Sequence, residues 1–428
     1  MRTLTALSFL ALLARPVPAQ LLQQAPPPTV AQEQNELSQA VQEAGPSQID
    51  FIHALERHLR KYPKTTQRAA IDKALSKSAV EINDHARIIQ YGIRVLESEP
   101  DSTDLPLLDR VTRELLDDGS PASPGRALIF AQRYKQAVES MRARAAEGHM
   151  SAGQWALEVN KGLSRASVLE ARAMGNLGGS EAAVKLAKTA WDIAPGSEPA
   201  RELARWLEKS GKTEEALQAY ADAFTCEDAR GSEADRASDR GKLGELYAKL
   251  HGGKTDGLGE LILQAFDRNA LLKRTRMANM KQKDPNAYAA SVGEYVLPRT
   301  DGNGGLALTS LKGKAVVLDF WATWCTPCRV QHPMIENVKK KYADNPNVVF
   351  LSIDSDDDHA PVAGFLKEMK WDGPSYYDEG LGHLLNITSI PTILILDGAG
   401  RISSRMTGFI PERFEEMLAD RIETARTN

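Results

Sequence analysis

Cys325 and Cys328 stand three residues apart. Two thiols at that spacing become neighbours once the segment between them forms the first turn of a helix, and a reversible disulfide needs that proximity. The chemistry on offer is thiol-disulfide exchange. Pro327, with its fixed φ and missing N–H, suits a first helical turn, and Asp319-Phe320-Trp321 closes a run of strand character. Cys325 is therefore expected at a helix N-terminus, where unpaired N–H groups and the macrodipole favour a thiolate, and it is expected to be the attacking thiol. Cys328, one turn further in, is expected to be less accessible and to resolve the mixed disulfide. Its proton needs an acceptor. Asp319 closes an otherwise apolar strand, so it is expected to be desolvated, raised toward neutrality and able to take that proton; the alternative is a strand-end carboxylate facing water. Trp324, beside the nucleophile, reads as the rim that substrates touch, and Trp321 as core.

These residues need a strand and a helix to hold them, and the C-terminal part of the chain supplies both patterns. Ala315 to Phe320, Val348 to Ile353 and Thr392 to Leu396 read as buried strands, with helical stretches from Pro327 to Tyr342, Ala360 to Met369 and Pro411 to Ile422. Alternating strands and helices indicate an α/β domain with a central sheet. Asp397-Gly398 before Arg401-Ile402-Ser403 predicts a closing hairpin, which makes the sheet mixed.

The preceding half is of a different kind. From about Ser47 to Lys283 apolar residues recur at helical spacing, as in Phe51, Leu55 and Leu59, then Ile88, Ile89, Ile93 and Leu96. Within it Ala183, Ala187 and Ala190 are followed 33 positions later by Ala216, Tyr220 and Ala223, and Gly178 by Gly211; a third unit is expected around Leu243, Gly244 and Tyr247. That offset and order resemble the tetratricopeptide repeat, which implies helix pairs meeting through small residues and a concave face for a protein partner. A generic helical bundle acting as spacer or dimerisation unit is the alternative. The charged stretch Lys273 to Asp284 reads as a solvated helix end leading to a domain boundary rather than as a binding patch.

Composition sets outer limits. The chain has 428 residues, 42% of them hydrophobic and 26% charged, with a formal net charge of −4. That length suits two or three domains, and that charge gives no electrostatic reason for a nucleic-acid partner. Arg2, the apolar stretch Leu4 to Leu13, and Pro16 and Pro18 predict a secretory signal over residues 1–19, cut ahead of Gln20. Its apolar run is roughly half the ~20 residues of a membrane span, with an uncleaved anchor as the alternative. The mature protein is thus expected to be soluble in an exported compartment, the bacterial periplasm. Residues 20–46, rich in Gln, Pro and Ala, read as a flexible leader. Three cysteines do not make a structural disulfide scaffold, and Cys226, far from the pair, is expected to have no role.

Trp321-Ala322-Thr323-Trp324-Cys325-Thr326-Pro327-Cys328 resembles the active-site signature of the thioredoxin superfamily, and more narrowly of the exported TlpA/ResA-like thiol-disulfide oxidoreductases. The resemblance runs over about residues 291 to 425. It takes in Leu311-Lys312-Gly313-Lys314, Pro333 within the active-site helix, and Ile390-Pro391-Thr392. It implies a cis Pro391 facing the disulfide, with Ile390 and Pro391 as the substrate-docking pair, because a proline without an N–H leaves the preceding backbone free to pair with substrate. Two positions depart from the narrower family: Gln331 stands where a glutamate is usual, and Asp319 where an asparagine is common. Asp319 matches the buried aspartate of thioredoxin itself, which implies thioredoxin-like proton handling.

Other chemistries fit the residues less well. A structural zinc site takes four ligands, and only Cys226 and His332 are on hand to join the pair; His332 reads as a surface or packing residue. Arg329 after Cys328 excludes a CxxCH haem attachment. A peroxiredoxin pattern would need proline and threonine where this chain has Leu318 and Ala322. No metal and no other cofactor is expected.

The expected architecture is therefore an α-helical, TPR-like N-terminal region over 47–283 and a C-terminal α/β thioredoxin-like domain with a central mixed sheet over 284–428. The expected activity is thiol-disulfide exchange on protein disulfides. CxxC proteins of this fold span roughly −270 to −120 mV, so the motif alone does not fix direction; the resemblance implies reduction, fed by a membrane electron donor. The alternative is a binding protein whose helical half recruits a partner, with the redox domain dedicated to it.

Overall fold

The computed structural model describes residues 29–142, 150–226, 232–408 and 410–427. The secretory signal expected over 1–19, and the leader as far as residue 28, lie outside the described residues. The chain divides into two compact units, one ending at Ser98 and one running from Glu99.

The first unit holds α1 (Val30–Ala44), α2 (Gln48–Lys61), α3 (Arg68–Glu81) and α4 (His85–Ser98). Ile52, Leu55, Leu59, Ile71, Leu75 and Tyr91 form its core, and Leu37 and Val41 of α1 pack against them. Here the structure departs from the expected flexible leader, because Val30–Ala44 is helical. Thr29 and Gln32 form a capping box: Thr29 Oγ1 accepts the Gln32 N–H at 3.2 Å and Gln32 Oε1 accepts the Thr29 N–H at 2.9 Å. Glu36 then accepts from Lys61 and Tyr62 of the α2 end, both at 2.6 Å. The apolar stripe is only Leu37 and Val41, too short to stand out against the polar composition around it.

The second unit begins with α5 (Leu105–Asp117), α6 (Ser123–Arg142), α7 (Ala152–Asn176), α8 (Ser180–Ile193), α9 (Ser197–Lys209), α10 (Thr213–Thr225), α11 (Glu233–Leu250) and α12 (Leu258–Lys283). From α5 to α11 each helix packs on the next, and α12 returns to α10. Gly178 and Gly211, the pair 33 positions apart, both carry positive φ, 92° and 77°, in the turns after α7 and α9. Left-handed backbone of this kind costs glycine least. Ala183, Ala187 and Ala190 on α8 are fully buried, as are Ala216, Tyr220 and Ala223 at the matching places on α10. Leu243 and Tyr247 are buried on α11, but Gly244 lies within that helix and makes no turn.

After α12 come β1 (Val296–Pro298) and β2 (Gly305–Ala307), then β3 (Ala315–Trp321), α13 (Thr326–Lys341), β4 (Val348–Asp354), α14 (Val362–Met369), β5 (Ser375–Tyr377), α15 (Leu381–Leu384), β6 (Thr392–Leu396), β7 (Ile402–Thr407) and α16 (Phe414–Thr427). The main sheet has the order β5-β4-β3-β6-β7. β3 is parallel to β4 and antiparallel to β6, and β6 and β7 form the expected antiparallel hairpin, so the sheet is mixed. Alternation along β3 sends Val316, Leu318 and Phe320 to one core, with Leu351, Ile353 and Leu394. Ala315 and Val317 face the other, under Ile335 and Val338 of α13 and Phe414 and Leu418 of α16. Asp319 continues that second row.

The array and the sheet domain meet in a dense polar joint. Asp284, just past α12, accepts from Ser151 Oγ and from the Gly153 N–H at 2.6 Å, holding the N-terminus of α7. Gln154 donates to Tyr295 Oη at 2.8 Å and to the Asn286 carbonyl at 3.2 Å, and Asn286 exchanges two hydrogen bonds with the Val296 backbone, at 2.8 and 2.9 Å. Among the described residues no helix is long and apolar enough to cross a membrane.

Candidate active site

The apolar run of β3 ends at Trp321, and the chain turns through Ala322, Thr323 and Trp324 before α13 begins. The Cys325 N–H donates to the Ala322 carbonyl at 3.0 Å, closing that turn. Cys325 is the N-cap of α13, and its Sγ accepts the Cys328 N–H at 3.2 Å. Cys325 and Cys328 are disulfide-bonded, with Cα atoms 5.3 Å apart. The pair thus sits where the spacing predicts, on the first turn of a helix with Pro327 inside that turn. Exposure does not separate the two: each is 3% exposed in this oxidised form.

The surroundings divide into a core side and an open side. Trp321 is buried, its Nε1–H donates to Ser352 Oγ at 2.7 Å, and its ring meets Phe365 and Trp371 at 5.5 and 4.9 Å. Trp324 is 67% exposed beside the disulfide. His332 stacks on Trp371 at 3.8 Å, and burial holds its imidazole below the ordinary value, so it packs as a neutral ring. Ile390 packs against the cluster formed by Trp321, Ala322, Cys325, Cys328 and Val362. The Ile390–Pro391 bond is cis, and the Pro391 carbonyl accepts the Gly408 N–H at 2.9 Å.

Asp319 is buried on the α13 side of β3. Desolvation, reinforced by the negative charge of Glu336 on α13, pushes its carboxyl up to about 7. Gln331, the residue that stands where the narrower family has glutamate, is also buried, and its Oε1 has no hydrogen-bond partner among the described residues.

Two further carboxylates belong to the site and are not evident from the motif. Asp356 receives the Thr323 N–H at 2.7 Å and the Thr323 hydroxyl at 3.0 Å, pinning the turn that leads into Cys325. Asp354 ends β4 beside Trp321; it is fully buried, and desolvation together with neighbouring Asp356 pushes its carboxyl up to about 9. In sequence the run Asp354-Ser355-Asp356-Asp357-Asp358 looks like polar turn residues after a strand. Only the parallel pairing of β3 with β4 brings it to the disulfide.

The chain is similar in sequence to known thioredoxin-like proteins. The thioredoxin-like family model matches residues 313–402. The chain is 35% identical over 116 residues to the thioredoxin-like protein YneN of Bacillus subtilis, covering 27% of this chain and 68% of that one. It is 30% identical over 145 residues to the thiol:disulfide interchange protein HelX of Rhodobacter capsulatus, covering 31% of this chain and 78% of that one. Among solved structures, a thiol:disulfide interchange protein of the thioredoxin family from Chlorobium tepidum is 27% identical, matching 31% of this chain and 92% of that one with a TM-score of 0.28.

Proposed function

The chain belongs to the thioredoxin-like thiol-disulfide oxidoreductases, and on that premise we propose that it reduces protein disulfides through Cys325 and Cys328. The observation that carries this reading is the disulfide itself, placed at the N-terminus of α13 with the Cys328 N–H directed at Cys325 Sγ. In the reduced protein the same N–H and the helix dipole favour a Cys325 thiolate. That thiolate attacks one sulfur of a client disulfide; a mixed disulfide forms and the other client sulfur leaves as a thiolate, which takes up a proton. Cys328 then gives its proton to Asp319 and attacks Cys325 Sγ. The second client thiolate departs, two electrons have passed to the client, and the Cys325–Cys328 disulfide remains. Burial of Asp319 supports its role, because a carboxyl raised to about 7 accepts and returns a proton near neutrality. Trp324 forms the exposed rim against which the client lies, and Ile390 and Pro391 line the side facing the sulfurs.

Around this centre we place the remaining parts. The paired glycine turns and buried alanines of α7 to α10 support a TPR-like array, and its role is to recruit the client. The residue pattern of 1–19 supports export to the periplasm, where a membrane electron donor returns Cys325 and Cys328 to the dithiol.

The test uses the full-length protein. Equilibrated in glutathione buffers and followed by tryptophan fluorescence, to which Trp321 and Trp324 beside the disulfide contribute, it should titrate as a two-electron couple nearer −270 than −120 mV. Cys328→Ser should accumulate client proteins on Cys325 as reducible mixed disulfides. A fluorescence signal indifferent to the glutathione ratio, or a Cys328→Ser protein that retains no client while Cys325 remains alkylatable, would sink the reading.

A further inference from the structure

The stretch Lys273 to Lys283, read from sequence as a solvated helix end, lies along one wall of a cleft of about 800 Å³ between α7, the end of α8, α10 and α12. Its apolar surface comes from Leu157, Ile193, Phe266, Met277 and Met280. Phe266 is 49% exposed there. Lys161, Lys273, Arg274, Arg276 and Lys283 add charge, and none of the described residues lining the cleft is an acid. In a chain of net charge −4 that is a marked local asymmetry.

Not all of this charge is available. Arg276 donates to the Asp192 and Ile193 carbonyls at 2.7 and 3.1 Å and so caps α8, and Lys161 pairs with Glu158 at 2.6 Å. Arg274 and Lys283 are exposed and have no carboxylate partner among the described residues. They stand nine positions apart on α12, about 13 Å along its axis at a helical rise of ~1.5 Å per residue and about half a turn apart around it, so they flank the cleft from opposite sides of the helix. An extended peptide covers that span with about four residues.

We infer that this cleft docks a short client segment carrying apolar side chains and at least two carboxylates. It rests on the recruiting role proposed above for the helical array, and it supplies the chemistry of what is recruited. Two separated, unpaired cations match carboxylates distributed along a peptide, whereas one anionic headgroup meets only one of them. Met277 and Met280 are flexible and polarizable, which suits a surface that must accept different apolar side chains. The cavity falls within the ~300–1,000 Å³ of small-ligand sites and holds a few side chains rather than a folded domain.

The experiment measures fluorescence anisotropy of a labelled, cysteine-free dodecapeptide of Leu, Gly and Glu on the full-length protein, beside a matched peptide with Lys at every Glu position. Micromolar binding of the acidic peptide alone is expected. The Arg274→Glu, Lys283→Glu double variant should bind it at least tenfold more weakly and should now take the lysine peptide, a reversal that misfolding would not produce. Equal binding of both peptides, no binding of either, or indifference to the charge reversal would overturn the docking site. Displacement of the acidic peptide by phosphatidylglycerol vesicles would also overturn it, in favour of a lipid surface. Glutathione exchange is measured on the same samples. Loss of exchange in the unaltered protein would count against the thiol chemistry, while intact exchange without peptide binding would remove the docking site alone.

Discussion

At the scale of single residues, Asp319 makes the sharpest demand on experiment. Its carboxyl sits near 7 in the fold against an ordinary 3.8, so the folded state holds the proton more tightly than the unfolded chain does. Stability associated with Asp319 is therefore greatest below about pH 4, declines as pH rises toward 7, and is level above that. Asp319→Asn should leave urea stability unchanged at pH 4 and raise it at pH 8 by up to about 4 kcal/mol, since a pKa unit is worth about 1.4 kcal/mol. The same substitution should slow resolution of the mixed disulfide by about 10²-fold and abolish the inflection near pH 7 in stopped-flow exchange. An unaltered pH profile would remove Asp319 from proton transfer. The motif made the two cysteines and this aspartate legible, because all three lie within one strand-turn-helix segment. Asp356 was not legible: its grip on Thr323 comes from 33 residues further along the chain, just past the end of β4, which only the pairing of Trp321 with Asp354 brings alongside in three dimensions. The expected difference in access between Cys325 and Cys328 is likewise not visible in the disulfide form.

At the scale of elements, the alanine and glycine spacing of the array proves to be a packing rule. Gly175 of α7 lies flat against Trp206 of α9, and a Cβ there would stand 2.1 Å from the indole. Trp206 cannot easily retreat, because its Nε1–H donates to fully buried Glu202 at 2.7 Å, which also accepts from Arg172 at 2.7 Å. Replacing glycine by alanine inside a helix normally gains about 1 kcal/mol, but an overlap of this depth costs more. Gly175→Ala should destabilise by about 2 kcal/mol in chemical denaturation, and Trp206→Leu should make the second substitution far less harmful than the sum of the two alone. Strictly additive losses would show that the contact is not limiting. Long helices and the three principal strands were evident from periodicity, whereas β1, β2 and β5 have three residues each, too few for alternation to register. The helix Val30–Ala44 was masked by composition, its signal residing in a capping box and contacts to α2.

At the scale of the molecule, the joint around Asp284 decides whether array and sheet domain behave as separate bodies. Asp284→Ala leaves the Ser151 hydroxyl and the Gly153 N–H without their acceptor, at a cost of about 1–3 kcal/mol. Amide exchange at Gly153 and Gln154 should accelerate at least tenfold, with the glutathione equilibrium of Cys325 and Cys328 unchanged; unchanged protection at those amides would show that the joint is held elsewhere. Because α12 runs into this joint without a slack tether, a peptide docked as proposed above would meet the redox helix at a fixed separation. On that docking the protein would work as a caliper. Two clients with chemically identical disulfides would be told apart by the number of residues between the acidic stretch and the bond, and lengthening that interval in a client should spare it from reduction without any change at Cys325.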